Sequence, residues 1–439
     1  MKGDNTMKWG KVRKGTALLL SGICMSSMIL SGCSTAEEDA GAGQETEQEE
    51  VSADTEITVY TPAINEDEYG KEFKKYVEEN LDFKVNFEAE PLLYADTVNK
   101  ATTMLASGDD SVDVYFIDEI MQLSFMSADF LEPIEDVVTE EDMSKFLEGY
   151  EDKFLKKDGH IYGVPADFAG ILFFVNKKMF DDADIAIPTN QEEFIDAAKK
   201  LTKDGKYGLL EAWDKASHLQ DNLNRWCLMF GGNFYDWTLD GTKEAIKFMY
   251  DLVHTYKVTS IDNLSVDYET GNQKFVDGNA AMYFQWAGSV PSYENAGKYG
   301  SEIICAPMPE FKTNKTPMSS WMWVVNKKSS KKEAAKEYAK LMASPEAQAL
   351  YMKACGRLSP TANLDVWDDA ELTDGLLTVE EHKQYVEDDA FEARTLSERH
   401  SEYMDTVTGT LQEYLMDEIS YEECLEKGQQ QIDELLGKN

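Results

Sequence analysis

The feature that most constrains this chain is a regular alternation of strand-like and helix-like segments beginning at Ile57. Ile57-Thr-Val-Tyr60 is a short β-branched and aromatic run, and residues 68–80 space their apolar side chains as one helical face. Phe83-Lys-Val-Asn-Phe87 then alternates with period two, residues 94–106 return to helical spacing, and Val112-Asp-Val-Tyr-Phe-Ile117 is apolar enough for a buried strand. Strand, helix, strand, helix, strand in that order predicts an α/β sheet with crossover helices. Further on, Thr189-Asn-Gln-Glu192, Ser330-Lys-Lys-Glu333 and Ser420-Tyr-Glu-Glu423 each fit a capping box. Ser344-Pro345 places a cap residue before a proline at the first helical position. Residues 380–436 read as helical with few breakers.

What precedes Ile57 reads as an address and a spacer. Lys8, Lys11, Arg13 and Lys14 lead into an apolar stretch over residues 16–30 that is short for a membrane span. Leu30-Ser31-Gly32-Cys33 resembles a bacterial lipobox, which implies cleavage after residue 32 and diacylation of Cys33. Two acyl chains anchor stably where one holds marginally. Residues 34–56 hold nine acidic side chains and no Lys or Arg, so they cannot bury a core and their charges repel. The expectation is a signal peptide at 1–32 and a lipidated, disordered tether at 33–56.

At 439 residues the chain exceeds what one core usually organises, which predicts two lobes. A net charge of −41 argues against nucleic acid, whose phosphates need clustered Lys and Arg. Cys227, Cys305, Cys355 and Cys424 lie far apart without CxxC or Cys/His pairing, so free thiols are expected and no metal site is indicated. The five histidines form no HExxH pair, and neither a GxSxG nor a P-loop spacing occurs. With 83 acidic residues, a suggestive pair of carboxylates carries no information about glycosidase chemistry.

Seven runs, taken in order, carry a resemblance. They are Val112-Asp-Val-Tyr-Phe-Ile-Asp118, Gly159-His-Ile-Tyr-Gly-Val-Pro165 with Leu172-Phe-Phe-Val-Asn-Lys-Lys-Met-Phe180, and Pro188-Thr-Asn-Gln-Glu-Glu-Phe194. Phe275-Val-Asp-Gly-Asn-Ala-Ala-Met282 with Trp286, Trp321-Met-Trp-Val-Val-Asn326, Ser344-Pro-Glu-Ala-Gln348 and Gly356-Arg-Leu-Ser-Pro360 complete the set. Together they resemble the extracellular solute-binding proteins of bacterial ABC importers, in the carbohydrate-binding group that includes maltose-binding protein. The resemblance implies a two-lobe, type II periplasmic-binding fold with three interlobe crossings and ligand held in the cleft. Lobe one would take 55–167 and 306–357, and lobe two 168–305 and 358–439.

The implied function is a tethered monomeric receptor, not an enzyme, that passes a carbohydrate to an ABC permease without any cofactor. A lipid-anchored carbohydrate-active enzyme is the alternative, as is a receptor for peptide, polyamine or glycerol phosphate ester. Sugars present hydroxyls to carboxylates and C–H faces to flat rings. Trp286 is the foremost stacking residue, followed by Trp213 and by Trp321, which is expected to face the cleft while Trp323 packs inward. Asp118 lies beyond a strand's carboxyl end, where open α/β sheets bind ligands. Asp167 stands at the first crossing, and Arg357 in the run before Pro360. Tyr60, Glu211, Asp214 and Tyr403 complete the expected set.

Overall fold

The computed structural model describes residues 51–91, 94–146, 155–215, 218–356, 358–359, 365–373 and 376–438. Strands β1 (Glu56–Thr61), β2 (Lys84–Ala89) and β3 (Val114–Asp118) form the parallel unit expected from the alternation. Helices Glu68–Asn80 and Tyr94–Ser107 connect them. Short strands β4 (Leu131–Glu132), β5 (Lys156–Lys157) and β6 (His160–Ile161) lead into β7 (Val164–Asn176). Then follow β8 (Tyr207–Leu210), β9 (Ala280–Trp286), β10 (Ile303–Ala306), β11 (Thr316–Asn326) and β12 (Phe391–Ala393).

The principal sheet order is β2-β1-β3-β11-β7-β9-β8. Its middle explains why the molecule has two cores. Residues 164–170 of β7 pair antiparallel with β11, while residues 171–176 pair with β9 and β10. One long strand thus leaves one core and enters the other. Ile57, Val114, Phe116, Phe168 and Trp323 belong to the first core. Ile171, Phe173, Trp226, Met282 and Phe284 belong to the second. At the junction Gly170 leaves room for Phe391, because an added Cβ would lie 1.9 Å from that ring. Phe391 packs against both cores, 5.0 Å from Phe168 between ring centroids.

Local signals hold at some helix starts and fail at others. Ser420 and Glu423 form the expected reciprocal box, and Ser344 accepts from the Ala347 N–H with Pro345 following. The box at Thr189 is displaced by one residue, since Asn190 is the cap that accepts from Glu193. The Ser330 box does not form; Lys331 occupies the cap without a side-chain hydrogen bond. The helical reading of 380–436 is also interrupted. After helix Val379–Glu387 the chain forms β12, parallel to the start of β11, before helices His400–Leu415 and Tyr421–Leu435. Three residues are too few for period-two alternation, and the pairing partner lies some seventy residues upstream.

Among the described residues the four cysteines are free thiols, with Cys227 and Cys424 buried and Cys305 and Cys355 half-buried. Burial raises the Cys424 thiol to about 12, so it stays protonated and unreactive. No helix of the described residues is long and apolar enough to cross a membrane. Cys33, the signal segment and most of the tether lie outside the described residues.

Candidate functional site

A cavity of about 620 Å³ opens where the two cores meet, within the range of small-molecule sites. One wall is built at the carboxyl end of β3. Asp118 caps helix Glu119–Ser127, its Oδ1 accepting the Met121 N–H at 2.8 Å and its Oδ2 the Tyr94 hydroxyl at 2.6 Å. Burial, then the neighbouring Glu119, pushes the Asp118 carboxyl up to about 6. In the register of the sheet, Trp321 lies opposite both Asp118 on β3 and Asp167 on β7. Cross-strand neighbours share a face, so the indole stands between two carboxylates. The Trp321 backbone N–H donates to Asp167 Oδ1 at 3.2 Å. Its ring stacks on Phe116 at 5.0 Å and meets the Tyr94 ring edge-on at 6.2 Å.

The opposite wall comes from the end of β9 and the first turn of helix His218–Met229. Trp286 Nε1–H donates to the Tyr268 hydroxyl at 3.1 Å and to Asp221 Oδ2 at 3.3 Å. Tyr268 donates to the same carboxylate oxygen at 3.2 Å. These bonds fix the plane of a half-buried indole and leave part of its surface to the cavity.

Arg394, the residue after β12, joins the walls. Its Nε donates to Glu119 Oε1 at 2.8 Å and its Nη1 to Asp221 Oδ1 at 2.8 Å. The guanidinium carbon sits 5.4 Å from the Trp286 ring centroid. Glu119 is completed by the Ser319 hydroxyl at 3.0 Å and the Ser320 N–H at 3.2 Å. Three buried charges are therefore hydrogen-bonded as one unit spanning both walls.

Of the residues expected from sequence, Trp286, Trp321, Asp118 and Asp167 line the cavity. Trp213, Glu211, Tyr60 and Tyr403 do not; each is fully buried. Trp213 and Tyr403 pack in the second core, the Tyr403 hydroxyl donating to the Phe234 carbonyl at 2.6 Å. Tyr60 packs in the first core, edge-on to Tyr115. Glu211 accepts from Arg225 through both oxygens at 2.9 Å and from Trp226 Nε1 at 3.2 Å. Asp214 pairs with His218, which does line the cavity. Arg357 lies outside the described residues, although its neighbours Gly356 and Leu358 are cavity residues. Trp323 is core, but not by facing away from Trp321. Two residues apart on β11 they share a face, both rings lie 5.0 Å from Phe116 between centroids, and Tyr338 and Tyr351 cover Trp323.

Sequence reasoning missed Tyr94, Glu119, Asp221, Tyr268, His382 and Arg394. Asp118-Glu119 was a visible acidic pair at a strand end. Nothing local marked Arg394, which gains its partners only through the β11–β12 pairing. Among the described residues no group of three His, Cys, Asp or Glu side chains is placed to hold a metal ion.

Two buried histidines give the fold an acid dependence. Burial lowers His382 to about 4 and His400 to about 3, and the charge of Arg394 further lowers the latter. Between those values and the ordinary 6.5 the unfolded chain binds protons that the folded chain refuses. Each histidine therefore removes about 1.4 kcal/mol per pH unit as pH falls through that window. Asp118 acts oppositely below about 6, because the folded chain binds its proton more readily. His382→Asn with His400→Asn is expected to flatten the fall in urea-unfolding free energy between pH 6.5 and 4.5. A slope equal to the parent's would refute the assignment.

A two-core α/β fold with a ring-and-carboxylate cavity where the cores meet has the form of a protein that holds a small solute. Residues 63–349 match the family model of the bacterial extracellular solute-binding proteins, and the chain belongs to that family. It is 24% identical over 319 residues to an arabinooligosaccharide-binding protein of Halalkalibacterium halodurans, covering 66% of this chain and 67% of that one. It is also 24% identical over 194 residues to a maltotriose-binding protein of Pyrococcus abyssi, covering 42% of this chain. That match spans only 39% of the relative's length. Among solved structures, maltose-bound MalE3 of T. maritima superposes with a TM-score of 0.72 at 20% identity, covering 87% of this chain and 99% of that one. The two-lobe fold expected from the seven runs is thus the fold observed.

Proposed function

We propose that this chain is an extracellular receptor that captures an oligosaccharide between two closing lobes and delivers it to an ABC importer. The observation that carries the reading is the pair of half-buried indoles, Trp286 and Trp321, on separate walls of one cavity with Asp118, Asp167 and Asp221 beside them. Flat rings take the C–H faces of sugar units and carboxylates take their hydroxyls. The names of the relatives, which bind maltotriose and arabinooligosaccharide, support the same ligand class. In this reading β7 carries a hinge near Asp167, with lobe one at 55–167 and 306–357 and lobe two at 168–305 and 358–439. Cleavage after residue 32 and acylation of Cys33 would hold the receptor at the outer face of the membrane, as a monomer on an acidic spacer.

Thermal unfolding of the purified chain against mono- and oligosaccharides tests the proposal. A ligand at 100 times its dissociation constant adds about 2.7 kcal/mol. No stabilisation by any saccharide would defeat it, and release of hydrolysed sugar would replace the receptor with an enzyme. Trp286→Ala is expected to weaken binding at least tenfold, read by calorimetry, with the fold retained. Unchanged affinity would return Trp286 to a packing role.

A further inference from the structure

Asp214 and His218 form a hydrogen-bonded pair at the wall that carries Trp286, and its placement points to ligand rather than to core. Both follow the carboxyl end of β8, which runs parallel to β9. Strand ends of that kind are where open α/β sheets hold ligands. The turn that carries the pair is pinned, because the Trp213 backbone N–H donates to the Asn263 carbonyl at 3.0 Å and that of Asp214 to the Val266 carbonyl at 3.2 Å. Neither side chain is sealed in, since His218 keeps 17% of its side chain exposed and Asp214 18%. His218 lines the cavity, as does Asp221 three residues on along the same helix face.

The His218 ring is held on two sides. Its Nδ1 meets Asp214 Oδ1, and a carboxylate only accepts, so Nδ1 carries a proton. Its centroid lies 3.7 Å from that of Tyr268, whose hydroxyl bonds to Trp286 Nε1 and to Asp221. What remains is the edge bearing Nε2, which makes no hydrogen bond among the described residues. A carboxylate behind an imidazole fixes its tautomer and orientation and leaves the far nitrogen to meet a partner. A sugar unit lying on the Trp286 face carries its hydroxyls around its rim. A hydroxyl both donates and accepts, so it meets Nε2 with or without a proton on that nitrogen.

We propose that His218 is a ligand-binding residue whose Nε2 bonds a hydroxyl of the sugar unit stacked on Trp286, and that Asp214 positions its ring. The proposal rests on the saccharide-receptor reading and adds a polar contact to it. Asp214, expected from the sequence to touch ligand, acts instead through its neighbour.

Calorimetry at pH 7 on the purified chain tests this with maltose, maltotriose, cellobiose, arabinobiose and arabinotriose. His218→Phe keeps a ring against Tyr268 and removes both nitrogens, so a role in packing alone would leave affinity unchanged. The affinity of the tightest saccharide is expected to fall about tenfold in this variant, the scale of one lost hydrogen bond, with the urea midpoint unchanged. Asp214→Asn should lose part of that affinity. Combining it with His218→Phe should cost no more than His218→Phe alone, because residues acting as one unit are not additive. Unchanged affinity in His218→Phe overturns the proposal while the receptor reading stands. Unchanged affinity in Asp214→Asn, or losses that add in the double variant, overturns the positioning role of Asp214. Failure of every saccharide to bind the parent chain defeats both readings.

Discussion

Arg394→Met is expected to lower the unfolding free energy by about 3–5 kcal/mol, the usual result of deleting one partner of a buried charge pair. Glu119 is fully buried and Asp221 nearly so, and both face the guanidinium. Without it Glu119 keeps Ser319 and the Ser320 N–H, while Asp221 keeps Tyr268, Trp286 and Gln220. These bonds cannot replace a counter-charge, so the two carboxylates would be left buried without one. Urea midpoints at pH 7, with an unchanged m-value, measure the loss. Arg394→Lys should rescue only part of the loss, since one ammonium on a flexible stem lacks the planar fork that spans Glu119 and Asp221. Saccharide affinity should fall at least tenfold as well, because Asp221 orients the Trp286 indole. A loss under about 1 kcal/mol, the scale of exposed pairs, would mean the triad is solvated and the walls are not joined through it.

The same residue marks where the sequence was legible and where it was not. The first five elements were readable to within about two residues because each is set by its own periodicity: β1 by Ile57, Val59 and their neighbours, helix Glu68–Asn80 by Gly70, Phe73 and Val77 on one face. The cap at Ser420 was readable because its whole hydrogen-bonding cycle lies within four residues. Strand β12 has no such closure, and its pairing to Thr316–Met318 delivers Arg394 to carboxylates 173 and 275 residues away in sequence. Composition could not tell the tryptophans apart either. Trp213 follows β8 and Trp286 ends β9, both strands of the second core, yet one is sealed in the core and the other ends at the cavity. Asp118 was found because a strand's carboxyl end is a general place for ligands in such sheets. Asp221 was missed because a helix's first turn offers an ordinary reason for an acid to be there.

Arg225→Met is the companion case, and it separates a stabilising ion pair from a binding one. Arg225 and Glu211 are fully buried in the second core, and the guanidinium carbon lies 4.0 Å from the Phe284 ring centroid and 4.1 Å from that of Trp226. Desolvation raises the Glu211 carboxyl above its ordinary range despite the lowering effect of Arg225 and Trp226. Removing Arg225 takes away both that opposition and the volume between two rings, so a loss of about 3–5 kcal/mol in urea unfolding is expected. Adding Glu211→Leu to Arg225→Met should recover most of it, since an apolar pair of similar volume needs no counter-charge. Neither residue lines the cavity, so the double variant should bind saccharide within about threefold of the parent. If the double variant regained stability but lost affinity tenfold, Glu211 would belong to the ligand after all. Arg394→Met should lose both properties together, because its carboxylate partners stand on opposite walls of the cavity rather than inside one core.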